Sequence, residues 1–324
     1  MTLAFDAYVT SALFERSGRA AFALGDGTVR FESGETLEAH PDSAVLFAVV
    51  HPTGEGLVTG GDDGRLVWSR AEGSVELASV KGRWIDAVAS SEESGLIAFA
   101  CGREVRVLDV KDPKFARTFT HERSVADVAF DAKGRRVACA TYGGAALWFA
   151  RIEGQKPAML KWAGSHVAIG FSPDGKFLVS AMQENDMHGW RLADGKDMRM
   201  GGYPAKPKSM AFAAKGSLLA TSGANGMVIW PFGGSNGPMG REAIEIGHDD
   251  TAVVTRVAAT PTGSIVAAGL DDGRVWVAEL SQTGVHRIRT DKGAAVTALA
   301  LSPDEKRLAW GDEDGAAGVV SLQG

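Results

Sequence analysis

The sequence has few cysteines and no long apolar run. Both features bear on the cellular compartment in which the protein is found. Cys101 and Cys139 are the only cysteines among 324 residues. Each lies in an apolar segment, which favours two buried thiols in a reducing compartment over a disulfide framework. No apolar stretch reaches the roughly eighteen residues of a membrane span. The N-terminus also lacks the basic start and apolar core of a signal peptide. We therefore expect a cytoplasmic protein with no membrane contact.

Clustered charge is also missing. The net charge is −6, and no block of five like charges occurs. Binding to a phosphate backbone depends on grouped lysine and arginine side chains. Nucleic acid is therefore not expected as a partner.

Motifs for catalysis and metal binding are absent as well. The sequence contains no G-x-S-x-G, no P-loop and no H-E-x-x-H. The histidines that precede apolar runs are far apart in the chain, without the short spacing of a zinc site. We expect no cofactor, no bound metal and no enzymatic activity.

What the sequence does contain is a repeat. A tight turn, most often Asp-Gly or Asn-Gly, recurs at intervals of 37 to 47 residues, with a bulky apolar residue five positions after its start. The turns begin at Asp26, Asp63, Arg103, Gly143, Asn185, Asn225, Asp272 and Asp314. The apolar positions are Phe31, Trp68, Leu108, Trp148, Trp190, Trp230, Val277 and Val319. A repeat of about 40 residues made only of strands is typical of a β-propeller.

Repeat two shows how one unit is built. Short apolar runs occupy residues 44–50, 57–59, 66–68 and 75–77, separated by segments that contain Gly, Pro or Asp. The Asp63-Gly64 turn tolerates the positive φ angles of a two-residue hairpin. The repeats predict a single all-β domain, 1–324, closed from about eight four-stranded antiparallel blades, with seven as the alternative. Helix should be nearly absent, and an N-terminal strand at residues 3–5 should complete the last blade.

These segments resemble the WD-repeat family. The best matches are LVTGGDDGRLVW (residues 57–68), FSPDGKFLVSA (171–181) and GHDDTAVVTRVAATPTGSIVAAGLDDGRVW (247–276). In that family a buried His–Ser/Thr–Asp–Trp set supports a blade. The resemblance implies such a set at His40, Thr59, Asp63 and Trp68, and a partial one at His248, Asp272 and Trp276. It also implies a non-enzymatic platform for protein partners. The Ala-, Gly- and Asp-rich composition favours a divergent, stand-alone bacterial member.

Two tryptophans lie outside the repeat pattern, in loops between repeats. Trp84 and Trp162 are each followed by the next inner strand, and aromatic and Arg side chains concentrate binding energy at interfaces. The predicted partner-binding residues are Arg83, Trp84, Arg123, Trp162, Lys206, Lys208, Asp249 and Asp250. An alternative stays open, in which each tryptophan fills a gap between adjacent blades.

The function we predict is an interaction platform, monomeric on its own, that binds an unidentified protein or peptide on the loop-bearing face. The alternative is an enzyme, or a small-molecule or metal binder, that uses the mouth of the central channel. Asp86, Asp127 and Arg256 fall in inner strands and are the polar candidates for that channel. A simpler interpretation is that these side chains face channel water.

Overall fold

The protein is built almost entirely from strands. The computed structural model describes residues 1–282 and 284–322, so the predicted domain, 1–324, runs slightly beyond them. The described chain forms 30 strands and one short 3₁₀ turn, Ala214–Gly216. The strands coincide with the Val-, Ala- and Phe-rich runs, because such side chains suit a pleated surface that is buried on both faces. The scarcity of helix agrees with the sequence.

Six of the sheets hold four antiparallel strands each. The first contains β2 (Val9–Phe14), β3 (Ala20–Leu24), β4 (Thr28–Phe31) and β5 (Thr36–Glu38). The second contains β6 (Val45–Val50), β7 (Leu57–Gly61), β8 (Arg65–Arg70) and β9 (Gly73–Ser79). The third contains β10 (Ala87–Ser91), β11 (Leu96–Cys101), β12 (Glu104–Asp109) and β13 (Asp112–Thr120). Another contains β20 (Met210–Ala213), β21 (Leu218–Thr221), β22 (Met227–Pro231) and β23 (Ile244–Ile246). The next contains β24 (Val254–Ala259), β25 (Ile265–Leu270), β26 (Val275–Glu279) and β27 (His286–Arg289). The last contains β28 (Val296–Leu301), β29 (Arg307–Asp312), β30 (Ala316–Ser321) and β1 (Thr2–Ala4).

A seventh sheet has six strands and carries two of the sequence repeats. Its strands are β14 (Val125–Phe130), β15 (Arg136–Phe149), β16 (Ala158–Phe171), β17 (Phe177–Met182), β18 (Met187–Arg191) and β19 (Asp197–Met200). β15 pairs with β14 up to Thr141 and with β16 beyond it. The chain turns between these segments at Gly143 and Gly144, whose φ angles are 91° and 136°. β16 likewise pairs first with β15 and then with β17.

The architecture is therefore the predicted all-β propeller of four-stranded antiparallel units. The hydrogen-bonded sheets of the described chain number seven, which was the alternative blade count. The eight sequence repeats map onto them because the six-stranded sheet joins repeats four and five without a break. A sequence repeat and a separate sheet are thus different units in this molecule.

The two ends of the described chain meet in one sheet. β1 pairs antiparallel with β30, with Thr2 opposite Gly318. Gly315, in the preceding hairpin, has a φ of 89°. A Cβ there would collide with the Phe5 carbonyl oxygen, so the N-terminal strand can approach only a glycine. This pairing gives the last sheet its fourth strand.

Hydrogen bonds between inner strands tie neighbouring repeats together near the ring axis. The innermost strand of six repeats has a register shift at the same place, in β2, β6, β14, β16, β24 and β28. A β-bulge of this kind re-aims a side chain. The Thr297 hydroxyl donates to the Val9 carbonyl oxygen at 2.6 Å, and the Thr10 hydroxyl to the Val45 carbonyl oxygen at 3.1 Å. The bulges thus hold the ring closed.

The hydrophobic core lies between sheets rather than inside one. One cluster, for example, combines Val58 and Leu66 from the second sheet with Ile97 and Phe99 from the third. All four are 0–1% exposed. Packing of this kind along the ring fixes each sheet against its neighbours. The loops at the ends of the sheets are therefore carried on a stiff scaffold.

Candidate partner-binding face

Hairpins and inter-repeat loops meet at one end of the ring, which we call the loop face. It consists of the loops before the innermost strands and the hairpins between the second and third strands of each repeat. The loop at residues 121–125 is hydrogen-bonded to the neighbouring hairpin. The His121 amide donates to the Arg103 carbonyl oxygen at 2.9 Å, and the Val125 amide donates to the Gly102 carbonyl oxygen at 2.8 Å. The Gly102 amide also donates to Asp86 Oδ2 at 2.6 Å. Loops and hairpins therefore form one continuous surface.

Repeat two holds a buried histidine at this end. His40 is 0% exposed, with Nδ1 3.0 Å from Asp63 Oδ1 and Nε2 2.8 Å from Thr59 Oγ1. Because a carboxylate only accepts, Nδ1 carries the proton and Nε2 accepts from the Thr59 hydroxyl. Burial lowers the pKa of His40, although Asp63 opposes the shift. The set fixes the hairpin against the loop before it.

Trp68, predicted as the fourth member of this set, lies outside it. Thr59 pairs with Val67, whereas Trp68 pairs with Val58. Neighbouring residues on a strand point to opposite faces of the sheet, so the indole is turned away from His40. It donates from Nε1 to the Glu55 carbonyl oxygen at 2.9 Å and stacks on His51, with 4.0 Å between ring centroids. The prediction for Trp68 was wrong, and the pairing register is the reason.

The partial set predicted in repeat seven does not form. His248 is 58% exposed at its side chain and contacts Glu245 and Asp250 rather than Asp272. Asp272 instead pairs with Arg274, 2.7 Å away. Trp276 is 1% exposed, and its Nε1 has no hydrogen-bond partner within residues 1–282 and 284–322. Arg274 thus pairs with the carboxylate that the predicted histidine contact required.

Five of the predicted contact residues are exposed on the loop face, and four of these have no intramolecular ion pair. Trp84 is 62% exposed, and Arg83, Arg123, Lys208 and Asp250 are exposed as well. Within the described part of the chain, Arg83, Arg123 and Lys208 make no ion pair, whereas Asp250 faces His248 at 3.2 Å. The structure therefore leaves these side chains accessible to a partner.

The other three predicted contact residues are engaged within the chain. Trp162 is half-buried and stacks on the buried ring of His188, with centroids 3.9 Å apart. Lys206 Nζ donates to Gln183 Oε1 at 2.9 Å. Asp249 pairs with Arg274 at 2.8 Å, and that contact lowers the pKa of Asp249. For Trp162 the structure favours the gap-filling alternative.

Sequence reasoning missed three accessible side chains at this end. Tyr142 is 64% exposed beside the Gly143 turn, and Tyr8 is 43% exposed in the loop before β2. Arg103 is exposed at the tip of its hairpin. The signal for Tyr142 was present, since an aromatic residue inside a tight turn has no core to enter.

The polar side chains of the inner strands bond to backbone rather than to one another. Asp127 Oδ2 accepts from Ile169 N of the next repeat at 2.8 Å, and burial raises the pKa of Asp127 to about 7. Arg256 Nε donates to the Thr297 carbonyl oxygen at 2.7 Å. These contacts join repeats, as the inner threonines do. Among the residues described, no three His, Cys, Asp or Glu side chains lie close enough to hold a metal ion.

Comparison with known proteins finds matches to two family models. The model for the WD domain, G-beta repeat, matches residues 32–68, which include the His40 set. The model for the anaphase-promoting complex subunit 4 WD40 domain matches residues 257–323. Two WD-repeat models therefore match separate parts of the chain, which supports a WD-repeat family. WD-repeat propellers generally mediate protein–protein interactions and are typically non-enzymatic.

Two curated proteins and two solved structures are similar to nearly the whole chain. Telomerase protein component 1 from Mus musculus and from Rattus norvegicus are each 25% identical over 333 residues. The match covers 98% of this chain but only 12% of those proteins. The computationally designed Ika8 protein superposes with a TM-score of 0.76 at 19% identity, covering 98% of each chain. A chain of a mitotic checkpoint complex superposes with a TM-score of 0.69 at 15% identity, covering 99% of this chain and 91% of the other.

No helix in residues 1–282 and 284–322 is long and apolar enough to cross a membrane. The cytoplasmic location and the bacterial origin stay predictions.

Proposed function

We propose that this WD-repeat propeller is a non-enzymatic platform that binds a protein or peptide partner on its loop face, in the cytoplasm. The observation that carries the proposal is Trp84, a tryptophan that is 62% exposed on that surface. Tryptophan is enriched among the residues that contribute most of the binding energy at protein interfaces.

The loop that carries Trp84 is rigidly held. Its neighbour Ile85 is 0% exposed and packs in the core between the second and third sheets. The Arg83 amide donates to the Val80 carbonyl oxygen at 3.2 Å, and the Ile85 amide to that of Gly61 at 3.1 Å. A side chain presented on fixed backbone loses little conformational entropy on binding. The structure thus supports recognition by a preformed surface.

The relatives' names are compatible with this proposal. One is a protein component of telomerase and another is a chain of a mitotic checkpoint complex. Both names describe membership of an assembly. That membership supports a partner-binding role for this chain and does not identify the partner.

Affinity purification from the native host tests the proposal. We expect wild-type protein to retain a specific partner, and the double variant Trp84→Ala, Arg123→Ala to lose it while melting at the wild-type temperature. The matched control is Lys133→Ala, Arg135→Ala, two exposed cations at the opposite end of repeat four. Equal recovery of the partner with both double variants would move the site away from the loop face and contradict the proposal.

A further inference from the structure

Five segments of repeats three to five form an uninterrupted strip of the loop face, which we call the basic sector. It comprises residues 80–86, 101–104, 121–124, 141–145 and 161–165. The first three segments are joined by the bonds of Gly102 and Arg103 described above. Pairing of Val125 with Thr141, and of Tyr142 with Ser165, adds the other two. The strip is therefore continuous in space as well as in repeat order.

Most of the charged side chains in this strip are cationic, and the exposed ones make no ion pair within the described residues. Its exposed cationic side chains are Lys81, Arg83, Arg103, Arg123 and Lys161. Within the described residues none of the five makes an ion pair or a side-chain hydrogen bond. Two of the three carboxylates in the strip are already engaged, Asp86 with the Gly102 amide and Glu104 with Arg106 at 3.0 Å. Three carboxylates thus lie among the five cations, and Glu184, whose Oε1 accepts from the Ser165 amide at 3.0 Å, borders the strip as a fourth.

The opposite end of the same repeats is arranged differently. There a groove is lined by Arg136, Lys176 and Arg191. Each of these cations has its own carboxylate nearby, at 2.9 Å for Arg136 and Lys176 and 2.6 Å for Arg191. Cations that are paired internally offer little to a ligand. The cations that line this groove are thus paired, whereas Lys133 and Arg135 at the same end are exposed and make no ion pair within the described residues.

Aromatic side chains lie within the same strip. Trp84 and Tyr142 are 62% and 64% exposed, in the first and fourth segments. Both present a large apolar surface beside unpaired cations. A ligand that matches the strip therefore needs negative charge together with at least one apolar or aromatic side chain.

The charge on the far side of the loop face limits the class of ligand. Repeats seven and eight carry Asp250, Asp271, Glu313 and Asp314 at this end, and the whole chain has a net charge of −6. A long polyanion such as a nucleic acid strand would be repelled beyond the basic sector. A short acidic segment would not extend that far.

We infer that the basic sector binds an acidic peptide segment that carries an apolar or aromatic anchor residue. The inference rests on the proposed function and specifies the partner's chemistry. Carboxylates of the segment pair with Arg83, Arg103 and Arg123, and the anchor packs on Trp84 or Tyr142. Charge complementarity of this kind raises the association rate and makes binding sensitive to salt.

A peptide array tests the inference directly. The probes are short peptides rich in Glu and Asp that each contain one Phe or Leu, and matched peptides with Lys at every acidic position. We expect the acidic set to bind at least about tenfold more tightly, and binding to weaken as salt rises from about 50 to about 300 mM. Arg103→Glu, Arg123→Glu should abolish it. The control Lys133→Glu, Arg135→Glu changes the net charge equally and should not.

Each outcome bears on one of the two proposals. Equal binding of the acidic and basic sets, or equal loss in both charge-reversal variants, overturns the acidic-peptide inference. Preference for a labelled single-stranded oligonucleotide over the acidic set overturns it as well. If the native partner is lost with Trp84→Ala but not with Arg103→Glu, Arg123→Glu, the platform stands and only the acidic chemistry fails. If neither variant loses the native partner, the platform proposal fails too.

Discussion

Removal of Trp84 and removal of Trp162 should differ in their effect on the stability of the protein, although both residues precede an inner strand in the sequence. Trp84→Ala is expected to change the free energy of unfolding by less than about 0.5 kcal/mol, because the side chain is mostly in water. Trp162→Ala is expected to cost about 2 kcal/mol. Truncating a fully buried aromatic residue costs about 3–5 kcal/mol, and the half-buried Trp162 should lose about half of that.

The stacked histidine gives the same substitution a second readout. His188 is 0% exposed, and neither ring nitrogen has a hydrogen-bond partner among the residues described. Burial lowers the pKa of His188 to about 4. Because Trp162 covers this ring at 3.9 Å, its removal should admit water to the imidazole. The pKa of His188 should then rise toward the usual 6.5.

Urea unfolding at neutral pH and an NMR titration of the histidines measure both effects. The expected pattern is lower stability and a raised His188 pKa in Trp162→Ala, with neither change in Trp84→Ala. Equal stability of the two variants, together with an unshifted His188, would show that Trp162 does not cover the histidine.

Three further effects follow from the buried polar contacts. Burial lowers the pKa of His51 and His188 to about 4, so the unfolded chain takes up protons first, and melting temperatures should fall as pH drops from about 6.5 to about 4. Asp127, whose pKa burial raises to about 7, opposes part of this loss. Melting temperatures should fall further below pH 4, where carboxyls with lowered pKa values such as Asp109 and Asp174 take up protons. Thr297→Val should lower the free energy of urea unfolding by about 1–2 kcal/mol because it strips the Val9 carbonyl of a buried donor, and Thr297→Ser should restore it. His40→Leu should cost about 3 kcal/mol in the same assay, since it removes two buried hydrogen bonds; a loss below about 0.5 kcal/mol would contradict that role.

The architecture was predictable because its determinants are local. Asp-Gly turns and short apolar runs specify hairpins wherever they occur, and their recurrence specifies a propeller. The number of separate sheets was not predictable in this way. It depends on how Gly143 and Gly144 let β15 continue through its turn, and on how β16 passes from one repeat into the next.

The details of the site depended on pairing that sequence spacing does not reveal. Trp68 occupies the family's Trp position approximately, yet a shift of one residue places it on the other face of its sheet. In repeat seven, Arg274 captures the carboxylate that the predicted histidine needed. Trp162 stacks on His188, which lies 26 residues further along the chain. No local sequence pattern predicts this contact.

Amide hydrogen exchange on the complex with the native partner would test the central claim most directly. Slower exchange on binding is predicted for residues 80–86, 101–104 and 121–124, which carry the exposed cations and Trp84. Slower exchange confined to the opposite end, at residues 131–136 and 173–176, would contradict a binding site on the loop face.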